Sequence, residues 1–287
     1  MRNVIIQIIV VIAVAIFAAV TVMACNASAE ITLGILPRLS TETLYGMFRP
    51  LAEYLSNEVG EKVSVVIPED FDAFKAAVKA GQIDLGFANS LIYVQLKKDM
   101  NLDPLALASE EKAGTKFRGI IIARKDSGIN KVQELKGKKL VFVDKDSAAG
   151  YIFQMMMLSK AGLDIHKDFT VLPFAKKHDN VTMAVFNKEA DAGGIREDDF
   201  EKMKNKVDLS QIKVIAYSEY FPNWPMFATA KIGKSTAAKI RAAFLKLKAD
   251  NAESERVLKS AKLTGFTTVS DKDYDLLRQA AKLVGAL

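Results

Sequence analysis

Cysteine occurs once among the 287 residues, at Cys25, and histidine twice, at His166 and His178. A single cysteine excludes an internal disulfide, and beyond residue 25 no thiol remains to act as nucleophile or redox centre. The chain has no His-x-x-x-His pair, no Gly-x-Ser-x-Gly elbow and no phosphate-binding Gly-Lys-Thr loop. The constellations needed for metal-assisted or nucleophilic catalysis are therefore missing, and the expectation is a non-enzyme without cofactor or metal. Lysine and arginine exceed aspartate and glutamate by 40 to 34, and with Arg2 the one charged residue among the first 25, the remainder carries 39 − 34 = +5. Lysine-rich stretches at 136–139 and 246–248 lie far apart and alternate with acids, the pattern of solvated faces, so no nucleic-acid partner is expected.

The long apolar run is at the N-terminus. Arg2 and Asn3 precede residues 4–22, interrupted only by Gln7 and Thr21, and small residues follow at Ala24, Ala27, Ser28 and Ala29. That is the layout of a secretory signal, although the run also approaches the roughly 20 residues of a membrane anchor. Val22-Met23-Ala24-Cys25 resembles a lipobox, which would acylate Cys25 as the first mature residue; Ala27-Ser28-Ala29 offers a rival cleavage site that would discard it. The favoured expectation is an exported protein whose signal covers 1–25, lipid-anchored through Cys25.

The mature chain is long enough for two packed α/β units. Strand-like runs at 31–36, 63–67 and 83–88 alternate with helical stretches at 42–59, 71–80 and 91–98, with Ser40 or Thr41 and Asn89 or Ser90 as caps. A buried strand at 118–124 leads to a second series: strand 139–143, helix 151–161, strand near 169–173, helix 181–187, strand 190–195, an acidic helix start at 197–200 and strand 213–218. The fold expected is a two-lobed α/β protein with mixed, mostly parallel sheets and helices on both faces. Lobe 1 would comprise 31–119 and 219–287, and lobe 2 would be 120–218, with a hinge at the two crossings.

The strongest local candidate for chemistry is Asp144-Lys145-Asp146-Ser147-Ala148-Ala149-Gly150, a small-residue loop between strand and helix where free amides attract an oxyanion, or where Ser147 simply caps its helix. His178 enters the next helix at a place from which an imidazole can face a cleft. Glu197-Asp198-Asp199 reads as a helix start complementing the dipole rather than a metal site.

Taken together, 31–37, Asp84-Leu85-Gly86-Phe87, 120–127, Leu135-Lys136-Gly137-Lys138, 147–150, His178 and 187–191 resemble the periplasmic phosphonate-binding proteins of phosphonate, phosphite and phosphate ABC importers. The resemblance spans nearly the whole mature chain. It implies a type II periplasmic binding fold, a monomer that holds a small-molecule ligand between its lobes and delivers it to an ABC permease with its ATPase. It also implies a pocket of loop hydroxyls and amides, two tyrosines, a histidine and nearby acids.

Carried over by position, Ser147 and His178 match, and Ala149 supplies an amide. Ala148 replaces a threonine hydroxyl, Phe71 and Phe117 replace the tyrosines, Asp198 (or Glu197) is the first acid, and Trp224 stands at the second. Asn89 joins this set at a strand end. Losing three hydrogen bonds to a charged ligand, at about 1.5–3 kcal/mol each, would weaken binding by orders of magnitude unless Arg38, Arg118 or Arg196 compensates. The ring faces together with Asp198 suit an apolar, aromatic or cationic ligand better than a small dianion. A sensory protein that presents its ligand to a membrane histidine kinase would have the same fold.

Overall fold

A computed structural model describes residues 30–164 and 166–287. The N-terminal signal reading and Cys25 lie outside the described residues. The chain enters through β1 (Ile31–Ile35), α1 (Thr41–Val59), β2 (Val63–Val66), α2 (Phe71–Lys79), β3 (Leu85–Phe87) and α3 (Ser90–Asp99). Each helix start is capped by a side chain whose oxygen takes a first-turn amide: Ser40 from Thr43 at 3.4 Å, Asp70 from Ala73 at 2.7 Å and Asn89 from Ile92 at 2.8 Å. Pro50 lies inside α1 and has no N–H for the Gly46 carbonyl; the Ser260 hydroxyl donates to that carbonyl instead, at 3.1 Å.

A nine-residue strand comes next, β4 (Leu102–Glu110), which the sequence pattern does not announce. Its Pro104, Ala106 and Ala108 are poor strand formers, and Pro104 is tolerated because the pairing register shifts beside it. After β5 (Lys116–Phe117) come β6 (Gly119–Arg124), β7 (Lys139–Val141), a π turn at Ala148–Ile152 running into α4 (Phe153–Lys160), and β8 (Thr170–Val171). Then come α5 (His178–Phe186), β9 (Ala192–Arg196), the short α6 (Glu197–Phe200) and β10 (Ile212–Tyr217). The chain returns through β11 (Phe221–Pro222), β12 (Pro225–Thr229), α7 (Lys234–Lys246), α8 (Ala252–Ala261), β13 (Leu263–Thr267) and α9 (Asp275–Leu283).

Two main sheets result, one ordered β13-β4-β12-β3-β1-β2 and the other β10-β6-β9-β7-β8, with β11 and β5 forming a two-stranded ribbon between them. Parallel pairing is confined to β2-β1-β3 and β8-β7-β9. The other pairs are antiparallel and outnumber them, so the expectation of mostly parallel sheets is corrected to mixed ones. The reason is topological: β12 and β13 run against β1–β4 in one sheet, and β6 runs against β7–β10 in the other.

The two crossings are tied to each other. The Ser218 amide donates to the Gly119 carbonyl at 2.9 Å, and the Gly119 amide donates to the Ser218 hydroxyl at 3.0 Å. Arg118, in the first crossing, lies over Tyr217 and Tyr220 of the second at 4.2 and 4.6 Å from their ring centres, and its guanidinium binds Glu197. A short, doubly bonded pair of strands leaves rotation about its axis as the soft motion, which is a hinge.

β9 carries two adjacent glycines because helix and loop press on it. A Cβ at Gly194 would stand 2.7 Å from both Gln154 Cγ and Phe142 Cδ1. Gly194→Ala is expected to cost about 1–3 kcal/mol by overpacking and to lower the melting temperature by several degrees in thermal unfolding, whereas Gly46→Ala, with nothing within 4 Å, should not.

Candidate ligand-binding site

The site lies where β1, β3, β7 and β9 end. From β1 the chain turns at Leu36-Pro37 and sends out Arg38, whose guanidinium lies 5.1 Å from the centre of the Trp224 ring. Among the described residues Arg38 has no ion-pair or hydrogen-bonded carboxylate. It remains exposed by area while protein surrounds most of it, as expected of a group standing in a cleft. That crowding, with Arg196 nearby, holds its pKa below the ordinary arginine value against the pull of Glu110, Asp199 and Asp198.

Arg196, at the end of β9, is already satisfied. Its Nε donates to Asp198 at 2.6 Å, its Nη2 binds Glu110 at the end of β4, and its guanidinium covers Phe117 at 4.8 Å. Both members of the Glu110–Arg196 pair are largely buried, and they join the two sheets across the cleft. The Arg196 amide donates to His178 Nδ1 at 3.1 Å, which makes His178 the tautomer with its proton on Nε2. That Nε2 is 3.7 Å from Asp199, which Lys202 also binds. Burial alone would raise the Asp199 carboxyl; His178, Lys202 and Arg196 more than offset it and hold it low. Burial also pushes the imidazole below its ordinary value of 6.5.

The loop after β7 supplies the opposite wall. Ser147 Oγ accepts the Gly150 amide at 3.1 Å, so Ser147 does cap its helix. The buried amides of Ala148 and Ala149 have no acceptor among the described residues. Gln154, fully buried, places its side-chain nitrogen within 3.1 Å of the carbonyls of Ala149, Ile120 and Ile195 and so pins this loop to β6 and β9. Asp146 reaches across to lobe 1, accepting from Lys75 at 3.2 Å and Gln95 at 3.1 Å.

Of the residues singled out from the sequence, Phe117, Asp198 and His178 meet through Arg196, and Trp224 meets Arg38. Trp224 is buried and packs on Phe87 at 5.3 Å, while Phe117 packs on Phe153 at 5.4 Å. Phe71 is half-buried against the lobe 1 core at the start of α2, and the Asn89 side chain is committed to capping α3. Asp198 is not the free negative charge that a cationic ligand would need, because Arg196 occupies it. Arg118 is spent at the hinge. Glu110, Lys75 and Gln154 were not singled out from the sequence: Glu110 ends the unannounced β4, and the other two become partners only when distant segments meet, as Asp146 of the candidate loop does with Lys75 and Gln95, and Asp199 with His178. The acids 197–199 each pair with a cation, and among the described residues no group of three or more metal-ligating side chains is assembled.

A fold of two α/β lobes joined by a two-strand hinge, with charged and amide donors converging between them, defines a type II periplasmic binding protein. The chain matches the family model described as "ABC transporter, phosphonate, periplasmic substrate-binding protein" over residues 33–274, and it belongs to that family. It is 26% identical over 277 residues, 89% of this chain and 86% of the relative, to the phosphate-import protein PhnD of Mycolicibacterium smegmatis. It is 29% identical over 149 residues to the tetrathionate sensor histidine kinase TtrS of Salmonella typhimurium, a match covering 49% of this chain but 25% of that protein. PhnD1 of Prochlorococcus marinus, solved with methylphosphonate, shares the fold with a TM-score of 0.73 at 16% identity, covering 90% of this chain and 99% of that one.

The Arg196 cluster has two measurable consequences. Arg196→Met strips two buried carboxylates of their partner and should lower stability by about 3–5 kcal/mol in denaturant unfolding. His178 is held neutral, its folded pKa lying below its unfolded one, so below about pH 6.5 the unfolded chain binds more protons and stability falls as pH falls. Melting curves from pH 7 to 5 should show that decline, and His178→Asn should flatten it.

Proposed function

We propose that this protein is the receptor of an ABC importer and carries a small phosphorus or sulfur oxyanion between its lobes, without transforming it. Arg38 carries the reading: it is a guanidinium in the cleft with no carboxylate partner among the described residues, and the unpaired amides of Ala148 and Ala149 on the opposite wall are further donors for an anion. The absent hydroxyls at Ala148, Phe71 and Phe117 are then offset by one full charge. The relatives' phosphate and phosphonate names support the same class. Residues 31–119 with 219–287 act as one lobe and 120–218 as the other, and closure is completed by the Asp146 contacts. The partner is a permease with its ATPase, and the receptor works as a monomer. We also propose export by the 1–25 segment with acylation of Cys25; a diacylglyceryl mass on Cys25 would agree, and a mature start at Glu30 would refute the anchor.

A sensory role is favoured by one observation, the similarity to the sensor histidine kinase TtrS. Neighbouring genes discriminate: a permease and ATPase for import, a kinase and response regulator for sensing.

In a thermal-shift screen of phosphate, phosphite, methylphosphonate and ethanesulfonate, at least one should raise the melting temperature in a concentration-dependent way. At 100 times Kd the gain is about 2.7 kcal/mol. Arg38→Gln should weaken that ligand by roughly tenfold to a hundredfold, the 1.5–3 kcal/mol of a charge-assisted bond, with little change in the unliganded melting temperature. Stabilisation by none of these anions, with stabilisation by another class, would refute the oxyanion reading.

A further inference from the structure

We infer that the cleft selects oxyanions that carry no ammonium group, a deduction that rests on the oxyanion reading above. An ammonium can be held in a protein cleft by a carboxylate or by an aromatic face. Both kinds of partner are present here, and the protein's own cations occupy them.

Glu110 and Asp198 are bound by Arg196, Asp199 by Lys202 beside His178, Glu197 by Arg118, and Asp146 by Lys75. The second oxygen of Glu110 has no donor, but it is sealed from solvent and therefore from a ligand in the cleft. The aromatic faces are covered in the same manner. Trp224 has the Arg38 guanidinium on it and Phe87 against it, and Phe117 lies between Arg196 and Phe153. An ammonium arriving with its anion would meet Arg38 and Arg196 as like charges, and each of the carboxylates and rings named above is already committed. The unmet demand is for negative charge alone, at Arg38.

Matched pairs differing by one amine test this on the purified wild-type protein: methylphosphonate against aminomethylphosphonate, and ethanesulfonate against 2-aminoethanesulfonate, each by isothermal titration at pH 7. The phosphorus and sulfur arms also tell which head group the cleft takes. The expected result is that, in whichever arm binds, the amine weakens Kd by roughly tenfold or more. Equal or tighter binding of the amine-bearing member overturns the inference while leaving the oxyanion reading intact. Binding of neither arm, nor of phosphate or phosphite, overturns both. Because the comparison uses one folded protein and varies only the ligand, misfolding cannot imitate either result.

Discussion

The site is organised around the guanidinium of Arg196. It neutralises Glu110 from one sheet and Asp198 from the helix beyond its own strand, covers Phe117, and by its backbone amide fixes the tautomer of His178. A buried ion pair of this kind adds little net stability over an apolar replacement, yet removing one partner is costly because the other is left charged and unsolvated. Its contribution is therefore positional. It holds two lobes in one relation and removes two carboxylates from the electrostatics that a ligand meets. Among the described residues, Arg38 is the cleft guanidinium left without a carboxylate, and the proposed oxyanion reading starts from that remainder.

The loop after β7 depends on a second buried polar group. Gln154 sits among Phe153, Met155 and Met156 on a helix otherwise apolar through Leu158, and its amide ties Ala149 to the strands beneath. The glycines at 119 and 194 make room for it. The loop amides can then stay unpaired within a rigid frame, which is what preorganised anion recognition requires. The hinge is built by the opposite means, from a few bonds between two adjacent strands and a stack of Arg118 with two tyrosines, so that the lobes have one easy rotation.

Most helices and parallel strands could be read along the chain because their signals are local: caps at Ser40 and Asn89, and alternating or continuous apolar runs. His178 begins its helix three residues earlier than periodicity indicates, since the first turn faces the cleft and carries polar residues. β4 escaped because its strand character comes from pairing with β12 and β13, two segments more than a hundred residues away, and not from its own alanines and proline. Ser147, His178, Arg38 and Arg196 were nameable as polar residues at strand and helix ends. Their roles were not, since the same arginine type is spent at 118, shared at 196 and free at 38.

Residue types and short-range spacing were enough to establish an α/β chain of two lobes, poor in catalytic groups, with a family pattern whose hydroxyls are partly replaced by aromatic rings. Which charges cancel was settled by the fold. Asp198 reads as an open invitation to a cation until Arg196 is seen to occupy it, and Trp224 reads as a bare ring until Arg38 and Phe87 are seen to cover it. Electrostatic partnership depends on distances of a few ångströms between groups that can stand far apart along the chain, and folding alone brings such groups together.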